Sequence, residues 1–151
     1  MRFFTVTALF AGLLAANDVA SAQSTDAIDP FGPPDPTTEL PLEGEALRAL
    51  FMDHTHRGYY NYGDWTDADP AFTEEMRADG TTRHDHDGII AEGRWKVRYT
   101  VVCFEYEILD GGCFNIFQRG NCYYAMSAGT AELVAITVLD GETPDCEPSL
   151  A

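Results

Sequence analysis

The sequence predicts a mainly β protein, an antiparallel meander that forms a small barrel or half-open sandwich with one short N-terminal helix. From Thr55 onwards, β-branched and aromatic residues alternate with polar ones, and Gly, Asp and Asn separate these runs at short intervals. No second helical segment lies between the runs, so the strands have no parallel crossovers available. The predicted strands are 55–62, 71–78, 81–87, 90–98, 100–107, 113–119, 121–127 and 131–139.

The segment "LEGEALRALF" predicts the helix. Leu47, Leu50 and Phe51 recur at helical spacing, and the acidic residues of the first turn precede Arg48, which is the charge order that the helix dipole favours. We expect this helix of about ten residues to close one end of the β structure.

The last strand, in "AELVAITVLDG", carries apolar residues at both odd and even positions. A strand with one face in water would carry them at alternate positions only. We therefore expect this strand to be covered on both faces.

The N-terminal segment has the pattern of an export signal. Arg2 supplies the positive charge, Phe3 to Ala16 supply an apolar run, and Ala20-Ser21-Ala22 supplies the small residues that a signal peptidase needs. The run of about 14 residues is shorter than the roughly 20 that span a bilayer, and we expect no membrane span after signal cleavage. The predicted organisation is a signal peptide at 1–22, a Pro-rich flexible leader at 23–39 and a single β domain at 40–151, in a periplasmic or secreted protein.

The chain is strongly acidic, with a formal net charge of −16 at pH 7. Such a surface repels nucleic acid and anionic lipid. The expected partner is therefore an envelope protein or a small ligand, with no role for nucleic acid.

Four cysteines predict two disulfides in an exported chain. They lack Cys-x-x-Cys spacing, which argues against a zinc knuckle or a thioredoxin-like motif, but three connectivities are possible. Strand parity favours one of them: matching the apolar faces of "VVCFEYEI" and "CFNIF" pairs Cys103 with Cys113. Cys146 would then attach the C-terminal tail to Cys122.

The order of "HTHRG", "RADGTT", "EGRWKV", "VCFEY" and "CFNIFQRG" resembles, over roughly residues 42–127, a family of small exported bacterial proteins with a domain of unknown function. The resemblance implies a periplasmic β domain and brings no activity with it. This chain has Tyr99-Thr100-Val101 where the family pattern has a polar turn, and Cys122 and Cys146 look like an additional pair. The matching positions are Thr55, Gly58, Asp79, Gly80, Thr81, Gly93, Trp95, Val97, Cys103 and Cys113.

The histidines form two His-x-His pairs, of which the pair in "TRHDHDG" has the clearer predicted geometry. Asp79-Gly80 between strand-like segments predicts a two-residue type I′ turn. That turn would place Glu75 opposite His84, with His84 and His86 on one face of the hairpin. Two imidazoles and a carboxylate form a ligand set that suits a transition metal such as Zn or Cu.

His54 and His56 could add a second pair of metal ligands if their strand lies alongside. The alternative is that the histidines occupy a polar strand face that meets water, with Arg77 competing for the Glu75 carboxylate. Both interpretations remain open from the sequence.

The sequence contains no recognisable catalytic motif: it has no Gly-x-Ser-x-Gly turn, no Gly-rich phosphate loop and no His-Glu-x-x-His helix. It favours a non-catalytic, disulfide-linked β domain that binds a partner or small ligand, and does not favour an enzyme. The alternative is a Zn or Cu binding protein, and a metal-dependent hydrolase is less favoured still.

Overall fold

The computed structural model describes residues 32–60 and 71–146. The predicted signal peptide and most of the leader lie outside the described residues. In the described part, one helix, α1 (Gly44–Phe51), precedes eight antiparallel strands in a closed meander in which each strand pairs with the next and β8 pairs with β1. The strands are β1 (Thr55–Tyr60), β2 (Ala71–Met76), β3 (Thr81–His86), β4 (Ile89–Arg98), β5 (Val101–Tyr106), β6 (Gly112–Arg119), β7 (Cys122–Ser127) and β8 (Leu133–Leu139).

The predicted fold class is confirmed, and of the two forms expected the closed barrel is the one adopted. Each predicted strand matches an observed strand within two residues at each end, because period-two alternation and turn residues mark strands clearly. Closing the sheet leaves no free strand edge and encloses one face of every strand.

Helix α1 packs against one end of the barrel, as predicted. Leu47 and Phe51 are buried, and the Phe51 ring lies 6.0 Å from that of Phe104 and 6.3 Å from that of Trp95. The segment that leads into the helix is also bonded to the barrel, since the Leu42 amide donates to the Ile116 carbonyl at 2.7 Å. The helix therefore forms a floor to the barrel interior.

A second apolar cluster covers the outer face of β6, β7 and β8. Ala135 lies on the inner face of β8, whereas Ile136 and Val138 are buried in this outer cluster. The prediction that the last strand is covered on both faces is confirmed. Arg119, at the edge of the cluster, bonds the Glu39 carboxylate at 2.6 Å and the Gly32 carbonyl at 2.6 Å, so residues 32–39 of the predicted leader are held against the barrel.

Both predicted disulfides are present, Cys103–Cys113 and Cys122–Cys146. Cys103 pairs with Cys113 across β5 and β6, and Val102 pairs with Phe114, as the parity argument required. Disulfides persist in oxidising compartments, which agrees with an extracellular environment. None of the described helices is long and apolar enough to cross a membrane.

Candidate binding cavity

The hairpin of β2 and β3 corrects the predicted turn. Asp79-Gly80 belongs to a three-residue loop, because the Arg77 amide donates to the Thr81 carbonyl at 3.0 Å and only Gly80 has a positive φ, of 83°. Three-residue hairpin loops place a glycine in this left-handed conformation after a type I turn. The predicted two-residue turn at Asp79-Gly80 is wrong, and the strand register moves by one residue.

The two-residue turn occurs instead at the other Asp-Gly of the region, between β3 and β4. Asp87 and Gly88 have φ of 52° and 77°, and His86 pairs with Ile89 across this turn. Positive φ at both central residues is the requirement of a type I′ turn. Both Asp-Gly dipeptides therefore match the sequence pattern of a type I′ turn, but only Asp87-Gly88 forms one.

The change of register exchanges the residue that faces His84. Glu74, not Glu75, pairs with His84, and Glu74 points into the barrel, where it is 6% exposed. Glu75 points outward, with a side chain that is 43% exposed and bonded to the Arg77 guanidinium at 3.0 Å. Arg77 pairs with this carboxylate, as the alternative interpretation expected.

The two histidines of β3 do share a face, as predicted, but that face is the interior of the barrel. His84 is 4% exposed, and the centroid of its ring lies 6.4 Å from that of His86. His86 lies nearer the rim of the barrel, with its Nε2 3.6 Å from the Asp87 carboxylate. His84 therefore does not lie on a polar face that meets water, whereas the side chain of His86 is 26% exposed.

The second histidine pair is divided between two environments. His54 is exposed before β1 begins, whereas His56 is buried next to the floor formed by α1. In the described ranges 32–60 and 71–146, no three or more His, Cys, Asp or Glu side chains are grouped so that they could hold a metal ion. Within these ranges the structure does not bring the predicted ligands His84, His86, Glu75, His54 and His56 together, and it shows no site for the Zn or Cu ion of the predicted alternative functions.

Glu74 instead organises a buried hydrogen-bonded cluster. Its Oε2 accepts from the Tyr106 hydroxyl at 2.8 Å and lies 2.6 Å from Nδ1 of His84, while Oε1 accepts from the Thr82 hydroxyl. Because a carboxylate only accepts, Nδ1 of His84 carries a hydrogen, and its Nε2 lies 2.7 Å from the Tyr60 hydroxyl. Five side chains from β1, β2, β3 and β5 thus form one cluster, which we call the Glu74 cluster: Tyr60, Glu74, Thr82, His84 and Tyr106.

Burial raises the pKa of the Tyr106 hydroxyl well above its ordinary value, and the adjacent Glu74 carboxylate adds to the effect. Tyr106 therefore stays protonated and serves as a donor to Glu74. Gly93 on β4 makes room for this side chain, since a Cβ at Gly93 would lie 2.8 Å from Cδ1 of Tyr106 and against the Glu105 carbonyl. The position of the Tyr106 ring thus depends on a glycine in the neighbouring strand.

The cluster lines a cavity of about 180 Å³ in the barrel interior. Phe51 and His56 bound it at the helix end, and Leu109 and Asp110, from the loop between β5 and β6, bound it at the opposite end. The remaining wall is mainly aromatic and aliphatic, with Phe72, Phe104, Phe114, Ile116, Ala125 and Ala135 among its residues. A mostly apolar cavity with a few convergent polar groups is the usual form of a small-molecule site.

Ring packing holds the polar cluster in place. The Tyr60 ring stacks on Phe72 with centroids 4.5 Å apart, and the Phe72 ring lies 5.2 Å from that of His84. The Phe104 and Tyr106 rings are parallel within 2°, with centroids 6.2 Å apart. The hydrogen-bonding atoms are thereby fixed on aromatic side chains with few alternative positions.

No family model, curated protein or solved structure matched this chain. The resemblance to the exported family of unknown function stays a prediction.

Sequence reasoning missed Glu74, Tyr106 and the cavity itself. A signal for Glu74 existed: Phe72 and Met76 alternate with it on β2, and an apolar pair on one strand face indicates the inner face. Matching that face to Thr82, His84 and His86 requires the register that the structure has. Tyr106 could be placed on the inner face of β5, but its contact with Glu74 depends on barrel closure and has no local signal.

Proposed function

We propose that the protein is an exported, non-catalytic barrel that binds a small molecule inside its cavity. The observation that carries the proposal is the cavity of about 180 Å³, mainly apolar in its lining, with one hydrogen-bonded polar cluster in its wall. Eight-stranded barrels either fill their interior with side chains or hold one small ligand. The space inside this barrel supports the binding of one small ligand. Of the two predicted partners, it favours a small ligand and not an envelope protein.

The size of the cavity limits the ligand. An apolar protein cavity of about 150 Å³ accepts one benzene molecule. The present cavity suits a molecule with a single ring and a short polar substituent. The substituent would contact the Glu74 cluster, and the ring would pack on Phe72, Phe104 and Phe114.

The Glu74 cluster supports a binding role, because burying it lowers the stability of the fold and folding by itself does not require it. Burying a carboxylate in an apolar interior carries a desolvation penalty of several kcal/mol, which partners offset only in part. Apolar side chains at Glu74 and His84 would fill a barrel interior without that penalty. A polar group kept at the wall of a cavity is a candidate for ligand recognition.

Calorimetric titration with three molecules of similar size, benzylamine, benzyl alcohol and benzoate, tests the proposal. We expect at least one of them to bind the wild-type protein with one-to-one stoichiometry. Ala135→Met fills the cavity from β8 and should abolish binding, whereas Ala78→Met adds the same side chain at an exposed position and should leave binding unchanged. Circular dichroism checks that both variants fold. If none of the molecules binds, or if Ala135→Met binds as the wild type does, the proposal is wrong.

A further inference from the structure

The charge and chemistry of the cavity wall limit the ligand further. Glu74 and Asp110 are the acidic residues of the wall, and among the described residues that line the cavity there is no Lys or Arg. An anionic ligand would meet two carboxylates and neither a Lys nor an Arg among these lining residues. A cationic ligand would meet both carboxylates.

We propose that the ligand is a small organic cation, a primary or substituted amine attached to one ring or a short apolar chain, held by aromatic faces beside the Glu74 carboxylate. This inference rests on the proposed binding function and names the chemical class of its ligand.

Aromatic rings make up much of the wall around Glu74. Three aromatic rings contact the His84 ring: those of Phe72, Tyr60 and Tyr106, at centroid distances of 5.2, 6.0 and 5.8 Å. The face of an aromatic ring attracts a cation through its quadrupole, and this attraction is strongest where water is excluded. An ammonium group beside Glu74 would lie against these aromatic side chains as well as the carboxylate.

The hydroxyl donors of the Glu74 cluster leave the charge of the carboxylate in place. Tyr106 and Thr82 donate to Glu74 as neutral groups, and His84 donates through Nδ1. A proton on His84 and a cation in the cavity would neutralise the same charge. The preference for an amine is therefore tested at a pH above the ordinary pKa of an imidazole.

The acidic character of the whole chain acts in the same direction. The net charge of −16 raises the local concentration of cations and lowers that of anions at long range. Asp110 places part of this charge where the cavity meets the loop between β5 and β6. Electrostatic steering therefore favours entry of an amine over a carboxylate of equal size.

The test compares benzylamine, benzyl alcohol and benzoate by calorimetric titration at about pH 8, where an ordinary imidazole is neutral. The three molecules have nearly the same shape and differ in charge. We expect the benzylammonium ion to bind about tenfold or more tightly than benzyl alcohol, and benzoate to bind most weakly. Equal affinity of the amine and the alcohol, or tightest binding by benzoate, would overturn the inference while leaving the binding function intact. Absence of binding by all three would overturn both.

A matched pair of variants on β2 tests whether Glu74 causes the preference for the amine. Glu74→Gln keeps the size of the side chain and removes the charge inside the barrel, and we expect it to reduce the ratio of amine to alcohol affinity to near one. Glu75→Gln removes the same charge from the adjacent, outward-facing residue and should keep the wild-type ratio. An unchanged ratio in a folded Glu74→Gln protein contradicts the inference. If that variant does not fold, the comparison of the three molecules on the wild-type protein still decides.

Discussion

The burial of His56 predicts how the free energy of unfolding depends on pH. It is 1% exposed, its ring stacks on Phe51 with centroids 4.8 Å apart, and its Nε2 lies 3.2 Å from the Leu50 carbonyl. A carbonyl only accepts, so Nε2 carries the proton of the neutral ring, and Nδ1 at 3.1 Å accepts from the Thr137 hydroxyl. Burial lowers the pKa of His56 to about 4, although the Leu50 carbonyl partly opposes this effect.

The size of the effect follows from the two pKa values. A folded-state pKa of about 4 against an ordinary value of 6.5 corresponds to about 3 kcal/mol of differential stability. In the window between these values the unfolded chain takes up a proton that the folded chain does not. The free energy of unfolding therefore falls as the pH falls from about 6.5 towards 4, and this contribution levels off below the folded-state pKa.

Urea unfolding at about pH 7.5 and pH 4.5 measures this contribution. We compare the wild type with His56→Phe, which keeps a ring against Phe51 and removes the titrating group. His54→Phe is the matched control, because His54 is the exposed neighbour in the same His-x-His pair. Carboxylates shared by all three proteins contribute equally and cancel in the comparison.

We expect the wild type and His54→Phe to lose about 2–3 kcal/mol more than His56→Phe does between the two pH values. The additional loss at low pH should be absent from His56→Phe whatever the stability of that variant at neutral pH, since only the difference between the two pH values is compared. An equal loss in His56→Phe and the wild type would refute the assignment of a buried, neutral imidazole.

Three further predictions concern the disulfide, the glycine under Tyr106 and the surface charge pair. Replacing Cys103 and Cys113 together by Ala should lower the free energy of unfolding by about 3 kcal/mol, because the bridge closes a loop with a sequence separation of 10, and a chemical unfolding curve in the absence of reductant would show it. Gly93→Ala should cost about 1–3 kcal/mol and weaken ligand binding, because its Cβ would displace Tyr106, so calorimetry and unfolding on one protein sample should change together. Glu75→Gln should change stability by less than about 1 kcal/mol, because its ion pair is exposed, and a larger loss in urea would contradict its outward placement.

The secondary structure was predictable because local patterns determine it. Alternation and turn residues located all eight strands, and the spacing of Leu47, Leu50 and Phe51 located the helix. The same parity reasoning predicted the Cys103–Cys113 pairing, since two apolar faces had to match. These features need only the neighbouring residues or one pair of strands.

The site was harder to predict because it depends on register and closure. An Asp-Gly dipeptide fits both a two-residue and a three-residue hairpin loop, and the sequence around Asp79-Gly80 does not distinguish them by turn preference alone. One residue of register exchanges Glu75 for Glu74 opposite His84, and a surface metal site becomes a buried hydrogen-bonded cluster. The cavity volume depends on how side chains from all eight strands meet, which no local pattern records.

The most direct measurement of the central claim is a crystal structure of the protein grown with an excess of benzylamine. We predict density for one molecule inside the barrel, its ring against Phe72 and Phe114 and its nitrogen within hydrogen-bonding distance of the Glu74 carboxylate or the Tyr60 hydroxyl. A barrel interior filled by side chains, with benzylamine bound only on the outer surface or nowhere, would contradict the account.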